Sequence, residues 1–490
     1  MNDTSVVVVG GGVGGLSAAC YLVDGGADVT LLEKNDQVGG LASSLTVDGF
    51  RFDTGPTWYM MPEVFGRFFR HFERSPADYY SLERLDPSYR VCYKDGDHID
   101  VTTDLTAMRA RFEEREEGAG EALAAYLATA RRTYDISMER FVYTDRPRLR
   151  DWVGRDVLET GTVGLELLGS LDRYVASFFD DEKLRQLVQY AAVFLGGAPS
   201  STPRLYHMMS HIDITQGVYY PEGGMEGVVA GLAALARELG VTIRTGVEVT
   251  EITRGRDEFF VIAENRVWRP DVVVSDVDYA HTELNLLPKH ERQYDRSYWT
   301  KRAYGPSALV LLLGLNRTVE DLPHHTVVMP IDWTDHFTDI YERQQWPNDP
   351  VYYVCNASAT DPTVAPRGGA AVMLSMAVPA GGEDDPALRE RYRDRLLEDL
   401  VDTAGVDLRD DIVFERTLSI SDFVDRYNVR NGTLGLAQTL RQTGPFRPGH
   451  RSTAIDGLYY TGSATNPGVG VPICLIGGEH TAACVRADLP

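Results

Sequence analysis

Lysine is almost missing from this chain: Lys34, Lys94, Lys183, Lys289 and Lys301 are the only lysines among 48 basic residues. Basic charge as a whole is in deficit. Against 72 acidic residues it leaves a net charge of −24, which a phosphate backbone would repel, so no nucleic-acid partner is expected. Such a surface suits molar salt, where a Debye length of ~3 Å screens its self-repulsion, and it predicts instability in dilute buffer. A high-GC genome with a mildly acidic proteome is the alternative. The five cysteines, Cys20, Cys92, Cys355, Cys474 and Cys484, form no CxxC pair, which excludes a disulfide framework and a zinc motif and leaves reduced, mostly buried thiols. No stretch reaches the ~18 uninterrupted apolar residues of a spanning helix, so any membrane contact is expected to be peripheral. Met1 to Ser5 is too short and polar for a secretory signal, which implies a cytoplasmic or membrane-surface enzyme. A Ser/His/Asp or glycosidase-like signature is lacking as well.

What is present begins at once. Four valines run into Gly10-Gly11-Gly12-Val13-Gly14-Gly15, and a second apolar strand, Val29 to Leu32, ends on Glu33 with Lys34 beside it. Gly10 lets the chain turn out of the strand, Gly12 lets the backbone approach a pyrophosphate, and Gly15 lets the helix Leu16 to Asp24 pack on the sheet. Glu33 is placed to accept both hydroxyls of an adenosine ribose. The pair Gly39-Gly40 can bring further N–H groups to the same pyrophosphate, or close a simple turn.

Further along, Leu105 to Gly197 reads as mainly helical, while Phe141 to Tyr143 and Leu149 to Val153 mix aromatic, apolar and arginine side chains that suit core packing, an apolar pocket or a lipid interface. From Tyr219 the chain returns to α/β grammar, with strands expected at Val241 to Arg244, Val247 to Ile252 and Val272 to Ser275. Between Ala308 and Phe414 recurring apolar strands suggest an antiparallel or mixed sheet. Near the end, Gly462 and the run Pro467-Gly468-Val469-Gly470-Val471-Pro472 open an apolar helix whose N–H groups suit the carbonyl edge of a flavin. The expected fold class is α/β: a Rossmann-like dinucleotide-binding domain (residues 1–90, 217–290 and 450–490), a helical substrate or membrane-contact region (91–216) and an inserted antiparallel or mixed-sheet substrate domain (291–449).

Gly49 to Thr57, Leu195 to Pro199, Leu205 to His211, Gly217 to Gly224, Thr360 to Pro366 and Leu458 to Glu479 stand in the order of the bacterial, archaeal and fungal type of phytoene desaturase. The chain resembles that family, within the wider flavin amine oxidase-like superfamily, and is especially similar to carotenoid desaturases of haloarchaea. The resemblance implies FAD, held by Gly10, Gly12, Gly14, Gly15, Glu33, Lys34, Gly39, Gly40, Val247, Gly462, Gly468, Val469 and Gly470. Leu41 departs from the arginine many relatives carry after the glycine pair, and Ser463 from the acid many flavoproteins carry after the C-terminal glycine.

It also implies desaturation of an acyclic carotenoid of the phytoene or lycopene type, by hydride transfer to flavin N5 with proton loss from the neighbouring carbon. The positive charge left by hydride loss spreads along the polyene, so a dry tunnel that holds the carbon needs no strong acid/base pair. Thr57, Trp58 and Tyr59 are candidate tunnel walls, and His211 is a candidate flavin neighbour. His207 and His211, four apart, would share a helical face; core or tunnel roles are preferred to a metal site, and no metal is expected. Alternatives are a later 3,4-desaturation, an isomerase or saturase, an amine oxidase, and a non-catalytic prenyl-lipid carrier. The expected partners are a carotenoid in lipid, the inner face of the cell membrane, and oxygen or a quinone as electron acceptor.

Overall fold

The protein is described by a computed structural model covering residue 1 and residues 4–146, 169–193, 196–256, 258–264, 266–432 and 435–489. The valine run becomes β1 (Ser5–Val9), followed by α1 (Val13–Asp24) and β2 (Asp28–Leu32). β1 lies at the centre of a five-stranded parallel sheet, flanked by Val272–Ser275 and Leu458–Tyr460 on one side and by β2 and Thr242–Arg244 on the other. A central parallel strand is covered on both faces, and this is why the run does not alternate: Val6 to Val9 are all buried.

One face carries α1, packed against helices Met225–Leu239 and Val471–Asp488. The packing is close at Gly478, where a Cβ would lie 2.5 Å from that of Ser17, and the Ser17 hydroxyl donates to the Leu475 carbonyl at 2.7 Å. The other face is covered by the three-stranded sheet Glu251–Arg254, Phe259–Ala263 and Arg266–Trp268. Val247 to Thr250, expected to start a strand, do not. The Val247 N–H is taken by the Glu33 carbonyl at 2.8 Å and that of Gly246 by Asn35, so the start of the segment follows the loop after β2; the Thr250 N–H is the first to reach the Ile262 carbonyl, and the strand proper begins at Glu251.

A second, seven-stranded sheet runs in the order 412–418, 307–315, 370–378, 352–356, 325–329, 89–93, 98–101. Its pairs are antiparallel except for the parallel one between His325–Met329 and Tyr89–Tyr93, so the sheet is mixed. Leu309, Leu311 and Leu313 meet helix Pro386–Ala404 on one face, while Val310 and Leu312 meet Phe50 and Phe52 on the other. The helical run begins at Leu105, capped by the Asp104 carboxylate, and includes Leu105–Arg115, Ala119–Ser137 and Glu182–Val193. Leu149 to Val153 lie outside the described residues. All five cysteines are free, and four of them are buried.

The scarce lysines are used as bridges. Lys94 reaches Asp349 and Asp399, and Lys183 reaches Asp95 and Asp97, each at 2.6–2.9 Å. Such pairs offset only part of the acid excess. Raising KCl from about 0.1 M to molar concentration is therefore expected to raise the thermal midpoint, as calorimetry would show; a midpoint that is constant or falls would contradict this.

Candidate functional site

A cavity of about 950 Å³ opens at the carboxyl ends of the parallel strands and reaches under the seven-stranded sheet. At one end it is lined by Gly10, Gly12, Gly14, Glu33, Lys34, Gly39 and Gly40, together with Val247, Gly462, Val469 and Gly470. Mostly apolar side chains line the rest, among them Met61, Met138, Phe141, Val142, Met208 and Phe337. Gly15 and Gly468 lie behind the lining.

The glycine loop is as tight as its sequence implies. Gly10 has φ +97°, and a Cβ on Gly15 would sit 2.3 Å from the Gly10 carbonyl oxygen. α1 starts at Gly12 with no side-chain cap, so its first N–H groups and dipole face the cavity. Glu33, 5% exposed, accepts from the Gly11 N–H through Oε2 and from the Asn35 N–H and amide through Oε1, each at 2.8 Å. Lone-pair capacity remains on Oε2 for a hydroxyl donor. Lys34 is engaged by the Asp425 carbonyl and Asn428, with Glu248 at 3.7 Å. The second glycine pair lies against the first loop, with the Gly39 N–H donating to the Gly11 carbonyl at 2.7 Å.

The C-terminal segment completes this end. Gly462 (φ +94°) and Gly470 (φ +121°) turn the chain around the loop 463–469 and into helix Val471–Asp488. Arg447, which is buried, holds this loop: it donates to the carbonyls of Ser463 (2.6 Å) and Thr465 (3.0 Å), and to Gln438 and Gln442. Burial pulls its guanidinium down to about 10, so it stays charged at neutral pH.

Asp276, the residue after strand Val272–Ser275, was not singled out from sequence. Its carboxyl sits inside the glycine cradle, so near that a Cβ on Gly12, Gly14 or Gly462 would come within 2.5–2.8 Å of it. Burial pushes the carboxyl up to about 7; the neighbouring N–H groups of Gly15 and Gly12 oppose the rise and the Glu33 charge adds to it. Asp276 Oδ2 and Thr461 Oγ1 are buried without partners. An uncapped helix start, a cradle too narrow for any Cβ, an anchored acid after β2 and two orphaned polar atoms fit a dinucleotide.

Thr57 and Trp58 are on the cavity wall. Thr57 Oγ1 lies 2.7 Å from the Tyr353 hydroxyl, which lies 2.6 Å from His325 Nδ1, and the Trp58 ring stacks on His325. Tyr59 points into the core against Phe65. His207 and His211 lie on one continuous helical run, 3-10 at Arg204–Met208 and π at His211–Gln216, and both rings pack toward helix Ala119–Ser137, His207 beside Thr133 and His211 on Tyr134. His207 is a core histidine bonded to the Arg204 carbonyl. His211 packs on Tyr134 behind the lining, and burial lowers its pKa.

A family model described as flavin containing amine oxidoreductase matches residues 13–486. Carotenoid 3,4-desaturase of Haloarcula japonica is 54% identical, over 100% of both chains. The zeta-carotene-forming phytoene desaturase of Myxococcus xanthus is 34% identical, over 96% of this chain and 92% of that one. Among solved structures, an oxidoreductase from Methanosarcina mazei (19% identity, TM-score 0.60, 98% and 100% covered) and a putrescine oxidase (14% identity, TM-score 0.63, 99% of each) share the fold.

Proposed function

This chain belongs to the flavin containing amine oxidoreductases, and from that membership we propose that it desaturates an acyclic carotenoid, using FAD as oxidant. The observation that carries the reading is one continuous cavity with a dinucleotide cradle at one end and a mostly apolar remainder. Within this class, the relative named carotenoid 3,4-desaturase favours a late 3,4-desaturation over the conversion of phytoene.

When bound, FAD supplies the acceptor for the hydride lost by the substrate. The chain's own work is placement. The α1 N-terminus and the Gly39-Gly40 pair would hold the pyrophosphate, Glu33 the ribose, and the loop from Gly462 to Gly470 the ring's carbonyl edge. Met61, Met138 and Phe141 would exclude water and align an extended polyene, and Thr57 and Trp58, on the same cavity wall, would help confine it. The neighbouring carbon loses its proton after charge has spread along the polyene, so a weak acceptor is enough.

The substrate partitions into lipid, and no helix among the described residues is long and apolar enough to cross a membrane. Peripheral attachment to the inner face of the cell membrane, with oxygen or a quinone reoxidising the cofactor, is part of this proposal. Incubation at molar salt with phytoene, lycopene and later acyclic pigments, followed by chromatography, is expected to give a product with a longer chromophore from a late pigment. Unchanged pigments throughout would refute the reading.

Asp276 makes a further prediction. An anionic pyrophosphate beside its carboxyl is tolerated while that group is protonated, below about 7, and repelled as it ionises. FAD affinity is therefore expected to fall several-fold between about pH 6 and pH 8.5. Glu33 and Cys474 face the same carboxyl. Asp276→Asn should flatten the profile, measured by quenching of flavin fluorescence; equal slopes in both proteins would show that Asp276 does not control it.

A further inference from the structure

Where strands His325–Met329 and Tyr352–Asn356 pair, with His325 opposite Cys355, a second group of side chains converges. His324, His325 and Cys355 are 5%, 0% and 5% exposed, and one ligand-capable atom of each lies within 4.8 Å of the others. The imidazole nitrogens divide their roles. Nδ1 of His324 lies 2.7 Å from the Thr360 hydroxyl and Nδ1 of His325 2.6 Å from that of Tyr353. Nε2 of each ring is buried with no hydrogen-bond partner.

An imidazole donating from Nδ1 presents a lone pair at Nε2, and leaving such a group buried and unsatisfied is unfavourable. Here two of them stand in rings 4.4 Å apart. A cavity of about 20 Å³, with room for one small occupant, is lined by His324, Cys355 and Met373 together with Arg51 and Asp53, while His325 approaches the other two from outside its wall.

We propose that His324, His325 and Cys355 form a binding site for one thiophilic metal ion, monovalent copper in preference to zinc. Two neutral imidazoles and a thiolate are soft ligands suited to Cu(I). Cu(I) with one thiolate buries no net charge, whereas Zn(II) would leave a positive charge in the core and ask for a fourth ligand. On binding, the Cys355 S–H bond is replaced by a Cu–S bond and the proton leaves to solvent, with no change of oxidation state. The hydroxyls on the two Nδ1 atoms fix the rings' orientation, as second-sphere partners do for metal-bound histidines. Because Tyr353 also bonds Thr57 and Trp58 stacks on His325, the ion would brace the cavity wall. Sequence gives little sign of this site, since two adjacent histidines and one distant cysteine make no spaced motif. The inference does not depend on the substrate.

The test is anaerobic titration of the holoenzyme with Cu(I) against a chromophoric chelator, with Zn(II) in a parallel arm. The expected result is one Cu(I) per chain, Zn(II) held at least about tenfold more weakly, and a loss of about 100-fold in Cu(I) affinity in Cys355→Ser and His325→Gln. Cys484→Ser should bind like wild type, and flavin absorbance reports whether each variant folds. Should the ligand variants not fold, X-ray absorption of the copper-loaded wild type is expected to show two nitrogens and one sulfur. Failure to take up Cu(I), stronger binding of Zn(II), uptake unchanged in Cys355→Ser, or a metal shell lacking nitrogen would each overturn the proposal.

Discussion

Gly15→Ala is expected to yield a protein that has lost flavin, with affinity reduced at least about 100-fold, or about 2.7 kcal/mol. The added Cβ would sit 2.3 Å from the Gly10 carbonyl oxygen and 2.9 Å from Asp276 Oδ2. The first of these atoms is backbone and cannot rotate away. Relief requires α1 to back off from the turn after β1, which carries its N-terminal N–H groups out of reach of a pyrophosphate. Gly66→Ala is the control: it lies in helix Pro62–His71, its Cβ would meet only the end of Arg70 at 3.7 Å, and a gain of about 0.5–1 kcal/mol is expected. Titration of the flavin-free proteins with FAD checks both. Affinity in Gly15→Ala within about threefold of wild type would contradict the loop's assigned role.

Arg447→Met should have the second largest effect. This buried guanidinium is the tie between Gln438, Gln442, Ser463 and Thr465, and its loss leaves several carbonyl oxygens without donors. At about 1–3 kcal/mol for an unsatisfied buried group, partly offset because no charge is then buried, a loss of about 3 kcal/mol is expected. Flavin retention should fall with it, since the anchored segment is the one that would face the ring. Lysine cannot reproduce the planar fork, so Arg447→Lys is expected to rescue little. Denaturant unfolding of the holoenzyme measures this, and a change below about 1 kcal/mol would show that the loop holds itself.

The fold class was readable where local pattern and tertiary role coincide. The valine run of β1, the glycines after it and the acid after β2 announce a parallel sheet and its ligand loop, because each requirement falls on neighbouring residues. The mixed sheet was visible for the same reason, in long apolar strands such as Ser307–Leu315. Features made by distant pairings were not. Asp276 enters the cradle only because Val272–Ser275 pairs beside β1, a partnership across the chain that no spacing encodes. Arg447 looks like any surface arginine until the C-terminal loop folds over it. Val247 to Thr250 carried an alternating pattern, yet the Val247 N–H is claimed by the Glu33 carbonyl and regular pairing starts only past it. The four-residue spacing of His207 and His211 did anticipate a common packing partner, since both rings meet helix Ala119–Ser137.

The central claim is that both ends of the chain build a flavin site opening onto an apolar chamber that holds the polyene. Anaerobic mixing of flavin-loaded enzyme with a late acyclic carotenoid, at molar salt in mixed micelles, tests it most directly. The expected result is bleaching of the oxidised flavin band in step with the appearance of a longer polyene chromophore, one for one. Flavin that stays oxidised with every acyclic carotenoid offered, or a chromophore that lengthens equally in flavin-free protein, would contradict it.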